Sequence, residues 1–241
     1  MELINRTITE IVSEHNSAAR VFEKYHLDFC CNGDRVLQDA VREANIAVDF
    51  LLEDLQVAIS GEAEENVDFT ELTVTEVSEI LRNEYHNFLR HKISEISTLS
   101  QKVQTVSSDE RLVQVRELIM SMFNHLAPHM LSEEKVLFPY LEYMEHTLNK
   151  GRIPKPASFG KLKKSVSTML DDHEASASQL DELRELTNNY TCEDKDDELL
   201  CEYFDQLKEL DQNLRMHIFI ENNVLFKKAR ALEDQYINTN S

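Results

Sequence analysis

The chain has 241 residues, only four glycines and four prolines, and a formal charge of −20. A chain this long can bury a core without staples, and so few helix breakers favour helix. The charge argues against nucleic acid and anionic membranes as partners. No apolar run approaches bilayer-spanning length, and the N-terminus lacks the basic-then-apolar pattern of a signal peptide.

Residues 1–60 read as a small helical domain. Thr7-Ile8-Thr9-Glu10 has the spacing of a capping box, and short amphipathic segments follow near 17–26, 34–44 and 48–59. Between the segments at 17–26 and 34–44 sits Leu27-Asp28-Phe29-Cys30-Cys31-Asn32-Gly33-Asp34. Asn-Gly signals a turn, so both thiols are expected on an exposed turn or at a helix start, where thiolate is favoured. The plainer reading is a pair of small buried apolar residues. Adjacent cysteines make a strained disulfide. With Cys192 and Cys201 they read as a reduced, cytoplasmic protein. Residues 61–72 are acidic, carry no helical stripe, and read as a linker.

From residue 73 to about 236 the pattern is long and helical. The first helix is expected over 75–105, with His86, Leu89, Ile93 and Ile96 on its inner side. Ser107-Ser108-Asp109 ends it and caps a second helix over 109–147. The stripe of that helix is Leu118, Met122, Leu126, His129, Glu133, Val136, Leu137 and Tyr140. Pro128 removes a backbone hydrogen bond and predicts a kink before His129 or a restart there, and Pro139 loosens the second half. After a loop at 149–156, the third helix is expected over 158–188, with His173 on its stripe. After a second loop at 188–192, the fourth is expected over 194–234, with His217 and Glu221. Short loops favour antiparallel neighbours, so the expected fold is all-α: an up-down-up-down four-helix bundle behind a small helical N-terminal domain.

His129-Met130-Leu131-Ser132-Glu133-Glu134-Lys135-Val136-Leu137-Phe138 recurs 88 residues later as His217-Ile218-Phe219-Ile220-Glu221-Asn222-Asn223-Val224-Leu225-Phe226. Residues four apart share a helix face, so each copy aims an imidazole and a carboxylate at one point. His86 and His173 precede the two copies by 43 and 44 residues, which makes the repeating unit a helical hairpin. A lone histidine on an apolar stripe is more often a hydrogen-bonded core residue. One on each of four helices, beside two core carboxylates that cost several kcal/mol if left alone, points to a cation. The alternative is a set of polar core networks without metal.

Four imidazoles and two carboxylates exceed the four ligands zinc prefers. They suit two iron ions, with manganese the next choice. The repeat suggests that His86 and His129 hold one iron and His173 and His217 the other, with Glu133, Glu221 and a bridging oxygen shared. An open position would remain for O₂, NO or peroxide, or for iron to leave. His125 is placed to hydrogen-bond a ligand. Glu134 and Glu174 either support a neighbouring histidine or face solvent, and His91 and His146 are surface residues.

The two His-x-x-x-Glu motifs, with His86 and His173 before them, resemble the hemerythrin-like domain. Asp28-Phe29-Cys30-Cys31-Asn32-Gly33 is similar to the Asp-Phe-Cys-Cys-Gly-Gly signature of the repair-of-iron-centres (YtfE/ScdA-like) family, and the two resemblances together cover nearly the whole chain. Asn32 stands where the family usually has Gly, and Asn tolerates left-handed backbone. The resemblance implies a bacterial cytoplasmic di-iron protein that restores iron–sulfur clusters damaged by nitrosative or oxidative stress, by supplying iron. It implies the ligand set His86, His129, Glu133, His173, His217 and Glu221, a functional role for Cys30 and Cys31, and a homodimer. The competing readings are an enzyme reducing NO or peroxide, an O₂ carrier or sensor (hemerythrins proper use five histidines), and a metal-free interaction bundle.

Overall fold

The structure is a computed structural model describing residues 2–61, 67–107, 109–193 and 197–239. Among the described residues every regular element is helical, and the one β-type contact is an isolated bridge between Thr7 and Val36. No helix among the described residues is long and apolar enough to cross a membrane.

The N-terminal helices are α1 (Ile8–Glu14), α2 (Ala18–Lys24), α3 (Leu37–Glu43) and α4 (Val48–Ser60). The expected capping box opens α1: Thr7 Oγ1 accepts the Glu10 N–H, and Glu10 Oε2 accepts the Thr7 N–H. Ile8, Ile11, Phe22, Leu37, Leu51 and Leu55 are fully buried between these helices. Each contributes about 1.5–3 kcal/mol by leaving water. Of the stretch expected as a linker, 62–66 lie outside the described residues. Beyond them Phe69 is buried, and its N–H donates to the Ser13 carbonyl at 2.9 Å, which pins the chain to α1 before the bundle begins.

Four long helices follow. α5 spans 74–106, in three pieces: Val74–Ile80, a π-helical turn Leu81–His86, and Asn87–Val106. α6 spans 110–149, with a π-helical turn Glu133–Leu137 between Glu110–Ser132 and Phe138–Asn149. α7 is Leu162–Leu186, unbroken. α8 spans 198–239, with a π-helical turn Ile220–Leu225 between Glu198–Phe219 and Phe226–Thr239. Thr73 and Glu76 form a second capping box at the start of α5. Ser108 and residues 194–196, expected at helix starts, lie outside the described residues. Asp109 and Asp197 cap α6 and α8, their side chains accepting the N–H of Arg111 and Leu200. α5 packs on α6 and α8, and α7 on the same two, which closes the up-down-up-down ring.

Pro128 does not end its helix, since Glu110–Ser132 runs through it. The irregularity falls later, at the π turn. Such a turn holds an extra residue, so the inner stripe steps forward by one. Leu137, Phe138, Leu141 and Met144 are buried, whereas Val136, expected to face inward, is 41% exposed.

Two cysteine expectations are corrected. Cys192 and Cys201 form a disulfide, because Cys192 and the first turn of α8 bring their Cα atoms to 5.2 Å, within reach of an S–S bond. The Cys30–Cys31 turn is not on open surface. It faces α8, which leaves Cys30 buried and Cys31 half-buried.

Candidate metal centre

His86, His129, His173 and His217 converge with Glu133 and Glu221 at the middle of the bundle. The pairing differs from the one the repeat suggested. His86 Nε2 lies 3.1 Å from His217 Nε2, and His129 Nε2 lies 3.0 Å from His173 Nε2. Each pair thus joins one hairpin to the other, because α5 lies most extensively against α8 while α6 faces α7. Glu133 and Glu221 belong to both groups, as expected of shared carboxylates. Three of the four contributing helices change to π geometry at the converging residues: His86 closes one such turn, Glu133 opens another and Glu221 lies in the third. π turns recur at functional sites because they re-aim a side chain without ending the helix.

The donor set fits a cation. Both oxygens of Glu133, Oε2 of Glu221 and Nδ1 of His217 are buried without a hydrogen bond among the described residues. Imidazole nitrogens lie close by, with Glu133 Oε1 3.2 Å from His129 Nε2 and Glu221 Oε2 3.0 Å from His173 Nε2, but they are misaligned for hydrogen bonds. Two imidazole nitrogens bound side by side on one metal at ~2.1 Å would sit about 3 Å apart, which matches both pairs.

The outward-facing nitrogens strengthen this. His86 Nδ1 is 2.9 Å from Glu134 Oε1, His129 Nδ1 is 3.3 Å from Asp172 Oδ2, and His173 Nδ1 is 2.7 Å from Asn222 Oδ1. Ionised carboxylates and amide oxygens only accept, so when these three rings are neutral Nδ1 carries the hydrogen and Nε2 turns a lone pair inward. In the His129–His173 pair the two facing lone pairs repel unless a proton or a metal lies between them. Such partners on the far nitrogen are the usual supports of histidine ligands. Glu134 is held in turn by Arg90 Nη2 at 2.6 Å. Phe138 stacks on His86, Phe226 on His173 and Tyr85 on His217.

Asp172 and Asn222 were missed from sequence. Asn222 could have been found, because it occupies the place of Glu134 in the repeat. Asp172 is exposed and gives no such signal. His125, expected to hydrogen-bond a ligand, is exposed instead and lines a cleft beside His129. His91, His146 and Glu174 are exposed.

Without metal the site holds protons. Burial alone would raise Glu221, but the surrounding histidines outweigh it and keep its pKa well below the usual range. Burial opposes charge on His129, yet Glu133, Glu221 and Asp172 carry it up to about 9.

The thiol turn docks beside this centre. Asp28 Oδ1 accepts the N–H groups of Cys30 and Cys31, and Oδ2 accepts from Asn32 Nδ2 at 2.7 Å. Asn32 does not use the left-handed backbone region. Gly33 is required by crowding instead, since an added Cβ would lie 2.5 Å from Thr9 Oγ1 and 2.6 Å from the Phe29 carbonyl oxygen. The side-chain amides of Asn222 and Asn223 both donate to the Cys30 carbonyl, at 3.3 and 3.0 Å. Cys30 and Cys31 are 3.6 Å apart at sulfur, hydrogen-bonded without a disulfide between them. The hydrogen bond from Cys30 lowers the Cys31 pKa, helped by His173, while that bond and burial push Cys30 well up.

Residues 77–229 match the hemerythrin HHE cation-binding domain, and residues 4–59 match a ScdA-type N-terminal domain described as of unknown function. The chain belongs to the hemerythrin HHE cation-binding family. It is 25% identical to a probable iron–sulfur cluster repair protein of Haemophilus influenzae, over 95% of this chain and 98% of that protein. It is 24% identical to the iron–sulfur cluster repair protein ScdA of Staphylococcus haemolyticus, over 92% and 96%. A Yersinia pseudotuberculosis protein named iron–sulfur cluster repair protein YtfE is 25% identical over 95% and 98%.

Proposed function

We propose that this protein repairs damaged iron–sulfur clusters by supplying iron from a dinuclear site. The observation that carries the reading is the pair of fully buried carboxylates shared by two cross-hairpin histidine pairs, three of whose four oxygens have no hydrogen bond among the described residues. The cluster-repair names of relatives matched over nearly the whole chain support the same reading. In this proposal His86 and His217 would hold one iron and His129 and His173 the other, with Glu133 and Glu221 available to both. Bound there, ferrous iron is cargo that can also exchange electrons.

The protein's own part is to hold and release. Glu134, Asp172 and Asn222 keep three imidazoles in the metal-binding tautomer, and the apolar bundle core around them excludes bulk water. Protonation of the histidines at Nε2 opposes holding. Histidine and carboxylate ligands suit an ion that must later leave, since thiolates would grip iron harder. Residues 73–236 form the iron-holding unit, 1–60 the thiol-bearing unit and 61–72 their connection. The clients are damaged iron–sulfur proteins in the cytoplasm.

Incubation of the iron-loaded protein with an enzyme whose cluster has been damaged by NO tests this. Activity should return faster than with an equal amount of free ferrous iron, and equal rates would overturn the reading.

A further inference from the structure

We infer that Asn222 is a positioning residue that makes the metal-binding tautomer of His173 depend on the docking of the Cys30–Cys31 turn. The inference rests on the metal centre proposed above, but not on cluster repair.

The geometry is a short relay. Asn222 Nδ2 donates to the Cys30 carbonyl at 3.3 Å, and Asn222 Oδ1 accepts from His173 Nδ1 at 2.7 Å. A carbonyl oxygen can only accept, so Cys30 dictates which way the amide faces. The amide oxygen in turn dictates which His173 nitrogen carries the hydrogen. With the turn docked, Nδ1 carries it, and Nε2 offers its lone pair to the centre beside His129 and Glu221.

With the turn undocked, that constraint is gone. A terminal amide torsion has two nearly equivalent settings, and the flipped one presents Nδ2 to His173 Nδ1. The ring then carries its hydrogen on Nε2, the atom that must ligate. Among the described residues, Asn222 alone bonds both the thiol turn and an imidazole of the centre. Asn223 bonds the Cys30 carbonyl and accepts from Thr9 Oγ1, with no link to a ring. The first hairpin has no such condition. Glu134 takes the place of Asn222 there, and a carboxylate accepts whichever way it turns.

Coupling of this kind is reciprocal. Metal must favour the docked turn by the factor with which docking favours metal. Cys30 and Cys31 are the free thiols, so alkylation reads the turn alone. Manganese(II) is the probe, because it prefers nitrogen and oxygen to thiolate ligands, and any change in thiol rate then reports docking. In the full native chain, Mn²⁺ should slow alkylation by iodoacetamide at least about fivefold, and prior alkylation should weaken Mn²⁺ binding by the same factor. Asn222→Asp keeps an acceptor for His173 and removes the donor to Cys30. That variant should bind Mn²⁺ yet alkylate at one rate with or without it. Asn223→Ala should speed alkylation in both states and keep the metal response.

Bound Mn²⁺ with an unchanged native thiol rate would overturn the inference, as would an Asn222→Asp variant that responds like the native chain. If that variant does not fold, the reciprocal native measurement decides alone. Absence of any bound Mn²⁺ would overturn the metal centre itself, and this inference with it.

Discussion

The two hairpins of the bundle share a skeleton and differ in what stands behind it. Each brings two histidines and one carboxylate to the centre, and each stacks a phenylalanine, Phe138 or Phe226, on an imidazole. In the first hairpin the support is closed on itself: Glu134 holds His86, and Arg90 holds Glu134. In the second the corresponding support is Asn222, which reaches outward to the thiol turn. A second difference lies two turns deeper. Asp211 of α8 is fully buried and gathers Arg184, Arg215 and Tyr190, whereas the repeat places Phe123 and Ala127 opposite Asp211 and Arg215 in the first hairpin. A duplicated unit can thus keep its inner donors fixed while one copy takes on the task of holding a second domain.

The comparison can be broken most severely at the shared carboxylates. Glu221→Leu should empty both positions, because Glu221 faces both histidine pairs, while His86→Ala should leave about one metal per chain. Elemental analysis of the purified variants reads this, and a Glu221 variant keeping a full equivalent would contradict a bridging role. Next in size is Asp211→Ala, which removes the buried partner of both Arg184 and Arg215, leaving Arg215 its pair with the exposed Asp181, and should cost about 3–5 kcal/mol in urea unfolding. Glu134→Ala should weaken metal binding at the His86 position by ~10–100-fold and leave thiol reactivity alone, unlike changes at Asn222.

A smaller effect concerns pH. The His129 pKa is raised to about 9 in the metal-free chain. Its stabilising contribution is therefore complete below the unfolded value of ~6.5 and is lost as pH rises through about 9. Metal takes only the neutral ring, so affinity should rise over that interval, and loading at pH 7 should release protons. Titration calorimetry in buffers of different ionisation enthalpy checks the release. The smallest effect is expected from Val136→Thr, within about 0.5 kcal/mol, because the π turn carries Val136 outward. A loss typical of a core residue would restore the unbroken stripe.

Much of this was legible before the structure, and the reasons are particular. The four helices follow from apolar periodicity, and the six converging donors from a motif used twice. What failed was whatever depends on packing between segments. The pairing of His86 with His217 follows from which helices face each other across the ring, which a repeat cannot reveal. The outward swing of Val136 comes from a π turn that leaves no mark in a 3.6-residue pattern. The burial of Cys30 depends on α8, some 190 residues away in the chain. Asn222 stood in plain sight at the place of Glu134, but its meaning required the Cys30 carbonyl beside it.

The most direct test is an anomalous difference map from crystals of the iron-loaded protein. Two iron peaks should appear, one within bonding distance of His86 and His217 and the other of His129 and His173, with Glu133 and Glu221 reaching both. A single peak, or two peaks that pair His86 with His129, would contradict the cross-hairpin centre.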